Sequence, residues 1–172
     1  MIFAFFPCVR FEEQIKIEFR GEGFGKKNWN DIQKLEYDIR LHNELNELYS
    51  LVSKLTIVAL KRNLKLIIEN PYSTTHHLRV YWCIKPKLID KNRKDRGDYF
   101  NKPTQYWFIN CEPKNNLIFE APTINALPIK NANHNVKPKH FKEDKKPKNR
   151  KVARSMIHPD YANRFIREFI LD

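Results

Sequence analysis

Lys65-Leu66-Ile67-Ile68-Glu69-Asn70-Pro71-Tyr72-Ser73 is the stretch on which the fold turns. Leu66, Ile67 and Ile68 form an unbroken apolar run, the pattern of a strand buried on both faces of a parallel sheet. The run stops at a carboxylate, an amide and a proline. Ligand-binding and catalytic groups of open α/β sheets gather at the carboxyl ends of strands. The first residues, Met1-Ile2-Phe3-Ala4-Phe5-Phe6-Pro7-Cys8, repeat this design with a thiol in place of the acid. Two buried strands, each delivering one reactive side chain (Cys8 and Glu69), are therefore expected.

Between them lies the clearest helical signal. Over Asp31 to Arg62, Leu41, Leu45, Leu48, Val52, Leu55 and Ala59 recur at alternating four- and three-residue steps, one apolar stripe on a helix. Asn30 and Gln33 have the spacing of a capping box. Asn63 suits the left-handed position just past the helix end. Ile32, Leu35 and Ile39 allow a separate first helix. Strand, helix and strand in this order form a βαβ unit, with parallel pairing and a right-handed crossover.

The rest of the chain is less regular. Val9 to Asn30 carries Gly21, Gly23 and Gly25 among charged and aromatic residues. Their spacing and context do not match a dinucleotide-binding turn, so a mobile lid-like loop is expected there. Arg79-Val80-Tyr81-Trp82-Cys83-Ile84 reads as a strand, and so does Thr104-Gln105-Tyr106-Trp107-Phe108-Ile109-Asn110. His76, His77 and Cys83 lack the spacing of a metal site. A final helix begins at Pro159, with Ala162, Phe165, Ile166, Phe169 and Ile170 on its buried face.

At 172 residues the chain suits a single domain with a substantial core. It has no apolar window of membrane-spanning length and no secretory h-region, so a cytoplasmic location is expected. Its three cysteines, Cys8, Cys83 and Cys111, suit a reducing compartment. The net charge of +12 is concentrated between Val136 and Lys151, at Lys137, Lys139, Lys142, Lys145, Lys146, Lys148, Arg150 and Lys151. Interrupted by Pro138 and Pro147, this segment reads as a flexible insertion that orders on a phosphate backbone. Solvated surface charge is the plain alternative. The expected organisation is an α/β core over 1–135, the basic insertion over 136–151 and a returning strand and helix over 152–172.

A thiolate and a neighbouring carboxyl group suit covalent addition to a pyrimidine: sulfur attacks ring carbon 6 while the acid engages N3 and the exocyclic amine. The base must first leave its helix. At these residues the chain resembles DNA cytosine-5 methyltransferases of small phage and prophage type. Phe6-Pro7-Cys8 is similar to their Pro-Cys motif and Ile68-Glu69-Asn70-Pro71 to their Glu-Asn motif. Lys102-Pro103-Thr104-Gln105-Tyr106-Trp107-Phe108 resembles their Lys-x-Thr-x-x-Trp stretch, and Arg154-Ser155 with the terminal helix resembles their ending. The motifs occur in family order over nearly the whole chain.

The resemblance implies a partial Rossmann-like, methyltransferase-type sheet with flanking helices. It implies DNA as substrate, S-adenosylmethionine as methyl donor, Cys8 as nucleophile and Glu69 as base-binding acid. Asn70, Pro71, Lys102 and Thr104 become substrate-binding residues. The family's Gly-rich cofactor turn and the acid that follows it have no counterpart before Cys8. A truncated or split protein is therefore expected, with a second chain carrying the cofactor half. Val9-Arg10 also replaces the polar residue that usually follows the cysteine. Asn70-Pro71-Tyr72 further resembles the Asn-Pro-Pro-Tyr motif of amino methyltransferases, without the second proline. The competing functions are a non-catalytic DNA-binding or regulatory protein of phage or prophage origin, and a basic domain for RNA or protein in which Cys8 and Glu69 are structural.

Overall fold

The computed structural model describes residues 1–12, 15–23, 25–125, 127, 137–141 and 146–171, without the side chains of Arg150 and Lys151. The fold is α/β. Four strands, β1 (Ile2–Phe5), β2 (Leu66–Pro71), β3 (Leu88–Asp90) and β4 (Thr104–Ile109), form one open sheet in the order β1-β2-β4-β3. β1 and β2 pair in parallel, with Ile2 beside Leu66 and Phe5 beside Glu69. The helices are α1 (Ile15–Phe19), α2 (Asp31–Lys61), α3 (His77–Tyr81), α4 (Arg150–Ser155) and α5 (Pro159–Phe169). Among the described residues no helix is long and apolar enough to cross a membrane.

The chain divides into two compact units. The first comprises Met1–Leu88 and Gln105–Glu112, the second Ile89–Thr104 and Pro113–Asp172.

In the first unit, α2 is a single 31-residue helix rather than two. Its capping box forms as the sequence indicates: Gln33 N–H donates to Asn30 Oδ1 at 2.9 Å, and Asn30 N–H donates to Gln33 Oε1 at 3.1 Å. Asn63 takes the left-handed conformation, φ 50°. Leu41, Val52 and Ala59 of the stripe are buried, while Leu45, Leu48 and Leu55 are partly so. The helix packs over Leu66 and Ile68 of β2, Trp107 and Ile109 of β4, and Leu78 and Trp82. At the far end of the core, Asn110 (φ 53°) donates through Nδ2 to the carbonyls of Ala59 (2.9 Å) and Leu64 (3.1 Å). One side chain thereby joins the ends of α2 and β4 to the approach to β2.

Three sequence expectations are corrected here. β1 is a strand, but an edge strand with exposed side chains; its apolar run does not say how many neighbours it has. Arg79 to Ile84 is no strand, because α3 covers His77–Tyr81. Leu78 and Trp82, four residues apart, both enter the core, and this helical spacing outweighs the local preference of valine, tyrosine and tryptophan for strands. The glycine segment also carries more structure than a loop. It contains α1, and the buried Lys26 bonds to Glu18 with its ammonium 3.6 Å from the Tyr37 ring centre.

The second unit is tied by ion pairs. Arg93 and Asp98, both fully buried, meet at 2.6 Å. Asp98 Oδ1 also accepts from the N–H groups of Tyr99 (2.8 Å) and His158 (2.9 Å). Arg96 bridges Asp90 and Glu168. Helix α5 begins at Pro159 as expected, but its buried face is Tyr161, Phe165 and Phe169, with Ile166 exposed. Within the basic segment Phe141 is buried, edge-on to Tyr99 at 5.1 Å, in a cluster with Phe100 and Ala153.

Candidate functional site

Parallel pairing places the carboxyl ends of β1 and β2 on the same side of the sheet. After β1 the chain passes Pro7 and enters a single 3-10 turn at Cys8–Arg10. Phe11 N–H donates to the Cys8 carbonyl at 2.8 Å and closes the turn. Cys8 is a half-buried thiol. Arg10 is held by Glu44 of α2, which pins the turn against the long helix.

On the neighbouring strand, Glu69 retains 9% exposure and Asn70 none. Asn70 Nδ2 donates to the Glu69 carbonyl oxygen at 2.6 Å. Asn70 Oδ1 then faces His76 Nε2 at 3.3 Å. An amide oxygen only accepts, so the imidazole carries its proton on Nε2. Gln105 of β4, also buried, donates to the Pro71 carbonyl at 2.8 Å. Three side chains thus fix the backbone on either side of Asn70, and with it the position of the acid.

His76 is packed between Phe11 and Trp107, at ring distances of 5.8 and 5.9 Å. Burial, with a smaller contribution from the charge of His77, pushes its pKa down to about 4. It is a neutral hydrogen-bond donor at physiological pH. Burial lowers the pKa of His77 as well.

The structure therefore gathers Cys8, Glu69, Asn70 and Pro71 at one end of two adjacent strands in the first unit. Lys102 and Thr104 belong to the second unit. Lys102 is half-exposed; Thr104 is buried, with its hydroxyl donating to the Lys102 carbonyl at 2.9 Å. In the basic segment, Lys137, Lys139, Lys146 and Lys148 are exposed. Lys142 and Lys145 lie outside the described residues, as do the side chains of Arg150 and Lys151.

Sequence reasoning treated His76 only as a possible metal ligand and did not see it as the support of Asn70. Its place six residues beyond Asn70, after the turn that follows Pro71, was the available signal. An open groove of about 270 Å³ was also missed, lined by His42, Leu45, Asn46, Tyr49, His77 and Tyr81. Among the described residues no cluster of three histidine, cysteine or carboxylate side chains has the arrangement of a metal site.

The glycines offer no cradle for S-adenosylmethionine. A side-chain carbon added at Gly23 would strike the Glu18 carboxylate at 2.6 Å, and one at Gly21 would meet Lys34 at 3.2 Å. Gly25 and Gly97 complete the set, and none of the four follows a strand as a phosphate- or cofactor-binding turn requires. Among the described residues these glycines do not fit that cofactor. Comparison with protein-family models, with curated proteins and with solved structures found no match.

Proposed function

We propose that the chain is the base-holding part of a DNA cytosine methyltransferase-like protein, built on a partial Rossmann-like sheet. The observation that supports this reading is the parallel register of β1 and β2, which pairs Phe5, three residues before Cys8, with Glu69. The chemistry assigned to this chain stops at the covalent adduct. The Cys8 thiolate attacks carbon 6 of a cytosine turned out of the duplex, forming a carbon–sulfur bond. The electrons of the 5,6 double bond move toward N3, which takes a proton from the Glu69 carboxyl group. Carbon 5 is then an enamine carbon and a nucleophile. Asn70, held by His76, and Pro71, held by Gln105, keep the acid in place. The methyl donor, S-adenosylmethionine in the family the chain resembles, would be carried by a second polypeptide.

The adduct has a consequence that needs no cofactor. An activated carbon 5 picks up a solvent proton, then gives up one of its two hydrogens to solvent as the 5,6 double bond re-forms and the sulfur leaves, so hydrogen at carbon 5 exchanges with water. Incubated with the full chain in deuterium oxide, cytosine-containing DNA should gain deuterium at that carbon. Cys8→Ser should abolish the gain, and Glu69→Gln should slow it by roughly a hundredfold or more. DNA that binds at saturation without exchanging would sink the reading.

A second reading, DNA binding without catalysis, is favoured by the net charge of +12 and the exposure of Lys137, Lys139, Lys146 and Lys148. It expects binding that weakens steeply with salt and is indifferent to Cys8→Ser. Replacing the four lysines by alanine should flatten the salt dependence by about 0.9 in slope for each phosphate that the variant no longer neutralises. An unchanged slope would exclude this segment as the footprint.

A further inference from the structure

Among the described residues, β1 has no strand on its outer edge. Ile2 N–H donates inward, to the Lys65 carbonyl at 2.8 Å. The N–H and C=O of one residue in a strand point to the same side, and successive residues alternate. Ile2 and Ala4 therefore direct their backbone groups toward β2. Phe3 and Phe5 direct theirs away from it, along the sheet's open side.

Natural sheets guard such edges with charge, proline or a bulge. No side chain of residues 1–6 is charged, and none of these residues is proline. The side chains are large and apolar yet exposed: Met1 is 60% accessible, Ile2 36%, Phe3 39% and Phe5 61%. Lys61, Arg62 and Lys65, all exposed, stand about the α2–β2 connection at the end of β1 where Ile2 is anchored.

We infer that this edge docks an apolar β-strand of a separate polypeptide, one bearing carboxylates at the end that meets Lys65. The backbone groups of Phe3 and Phe5 supply the ladder, their rings cover the incoming side chains, and the basic rim sets direction and selectivity. A second copy of the chain is the less suitable occupant, because each copy brings a net charge of +12 and two copies repel. The inference rests on the two-chain reading above only for what the partner does. The edge itself follows from the register and the exposed side chains.

The test uses the full chain and a fluorescein-labelled peptide of alternating valine and threonine flanked by glutamates, followed by fluorescence anisotropy. Saturable binding is expected, with slower hydrogen exchange at the Phe3 and Phe5 amides. Phe3→Pro removes an outward donor while sparing the ladder to β2. Phe5→Lys places a guarding charge on the edge. Each should weaken binding by about tenfold or more, whereas Phe119→Lys, at a fully exposed site in the second unit, should leave it unchanged. If Phe3→Pro does not fold, Phe5→Lys carries the comparison, with far-ultraviolet circular dichroism confirming the fold. No saturable binding, binding indifferent to both edge variants, or a self-dimer dissolved by Phe5→Lys would overturn the proposal. Deuterium exchange at cytosine is a separate readout: peptide binding without it keeps the edge and discards the base chemistry.

Discussion

β1 and β2 are neighbours of nearly equal apolar character with opposite fates. Leu66, Ile67 and Ile68 are sealed from solvent, while Ile2, Phe3 and Phe5 stand open to it. The two also end differently. β2 runs into a buried polar lattice of Asn70, His76 and Gln105. β1 ends at a proline and one closed turn. The contrast teaches that burial belongs to a strand's place in the sheet, not to its composition. It also separates the candidate site into a buried acid and a more accessible thiol.

The sharpest way to break this comparison is to truncate one residue on each strand. Ile68→Ala should cost about 2–5 kcal/mol in urea unfolding. Phe5→Ala, which removes a larger but exposed ring, should cost under about 1 kcal/mol. Equal losses would mean that β1 is as buried as β2.

Acid comes next. His76 is held well below its ordinary value of 6.5, near 4. The unfolded chain therefore takes up that proton first as the solution is acidified. The stability contributed by the neutral imidazole is complete above about pH 6.5 and is lost as the pH falls toward 4, by at most about 3 kcal/mol. His76→Gln should flatten this dependence across that window; an unchanged slope would remove His76 as its source.

Asn70→Ala strands the buried Nε2–H of His76 and frees the Glu69 carbonyl. A loss of about 1–3 kcal/mol is expected, together with slower cytosine exchange even where the protein remains folded. The smallest effect lies far from either strand end. Asn30→Ala at the start of α2 should cost about 1 kcal/mol and leave base exchange untouched, which separates loss of stability from loss of the site.

Signals that act over a few residues were legible in the sequence. The Asn30–Gln33 box, the left-handed Asn63, the stripe from Leu41 to Ala59 and the proline that opens α5 all depend on chain neighbours, and all formed. β2 and β4 were legible because long apolar or aromatic runs bounded by turn residues have few alternatives. Parallel pairing of β1 with β2 followed from one βαβ unit.

What was hidden depends on partners distant in sequence. The edge position of β1 is set by which strands pair, and no local pattern encodes that. In α3, residues that favour strands were overruled because Leu78 and Trp82 had a core to enter. Phe141, inside the basic segment, finds its neighbour in Tyr99, some forty residues earlier. The support of Asn70 by His76 lay across a turn that composition alone did not describe.

Asn110 carries a consequence for the order of assembly. Its amide reaches carbonyls 46 and 51 residues earlier in the chain, so those bonds close only after β4 has found its slot beside β2. Bonds made that late are expected to be absent from the barrier crossing. Removing the amide should leave the refolding rate nearly unchanged and quicken escape from the native state, making Asn110 a latch on the protein's lifetime rather than a guide to its formation.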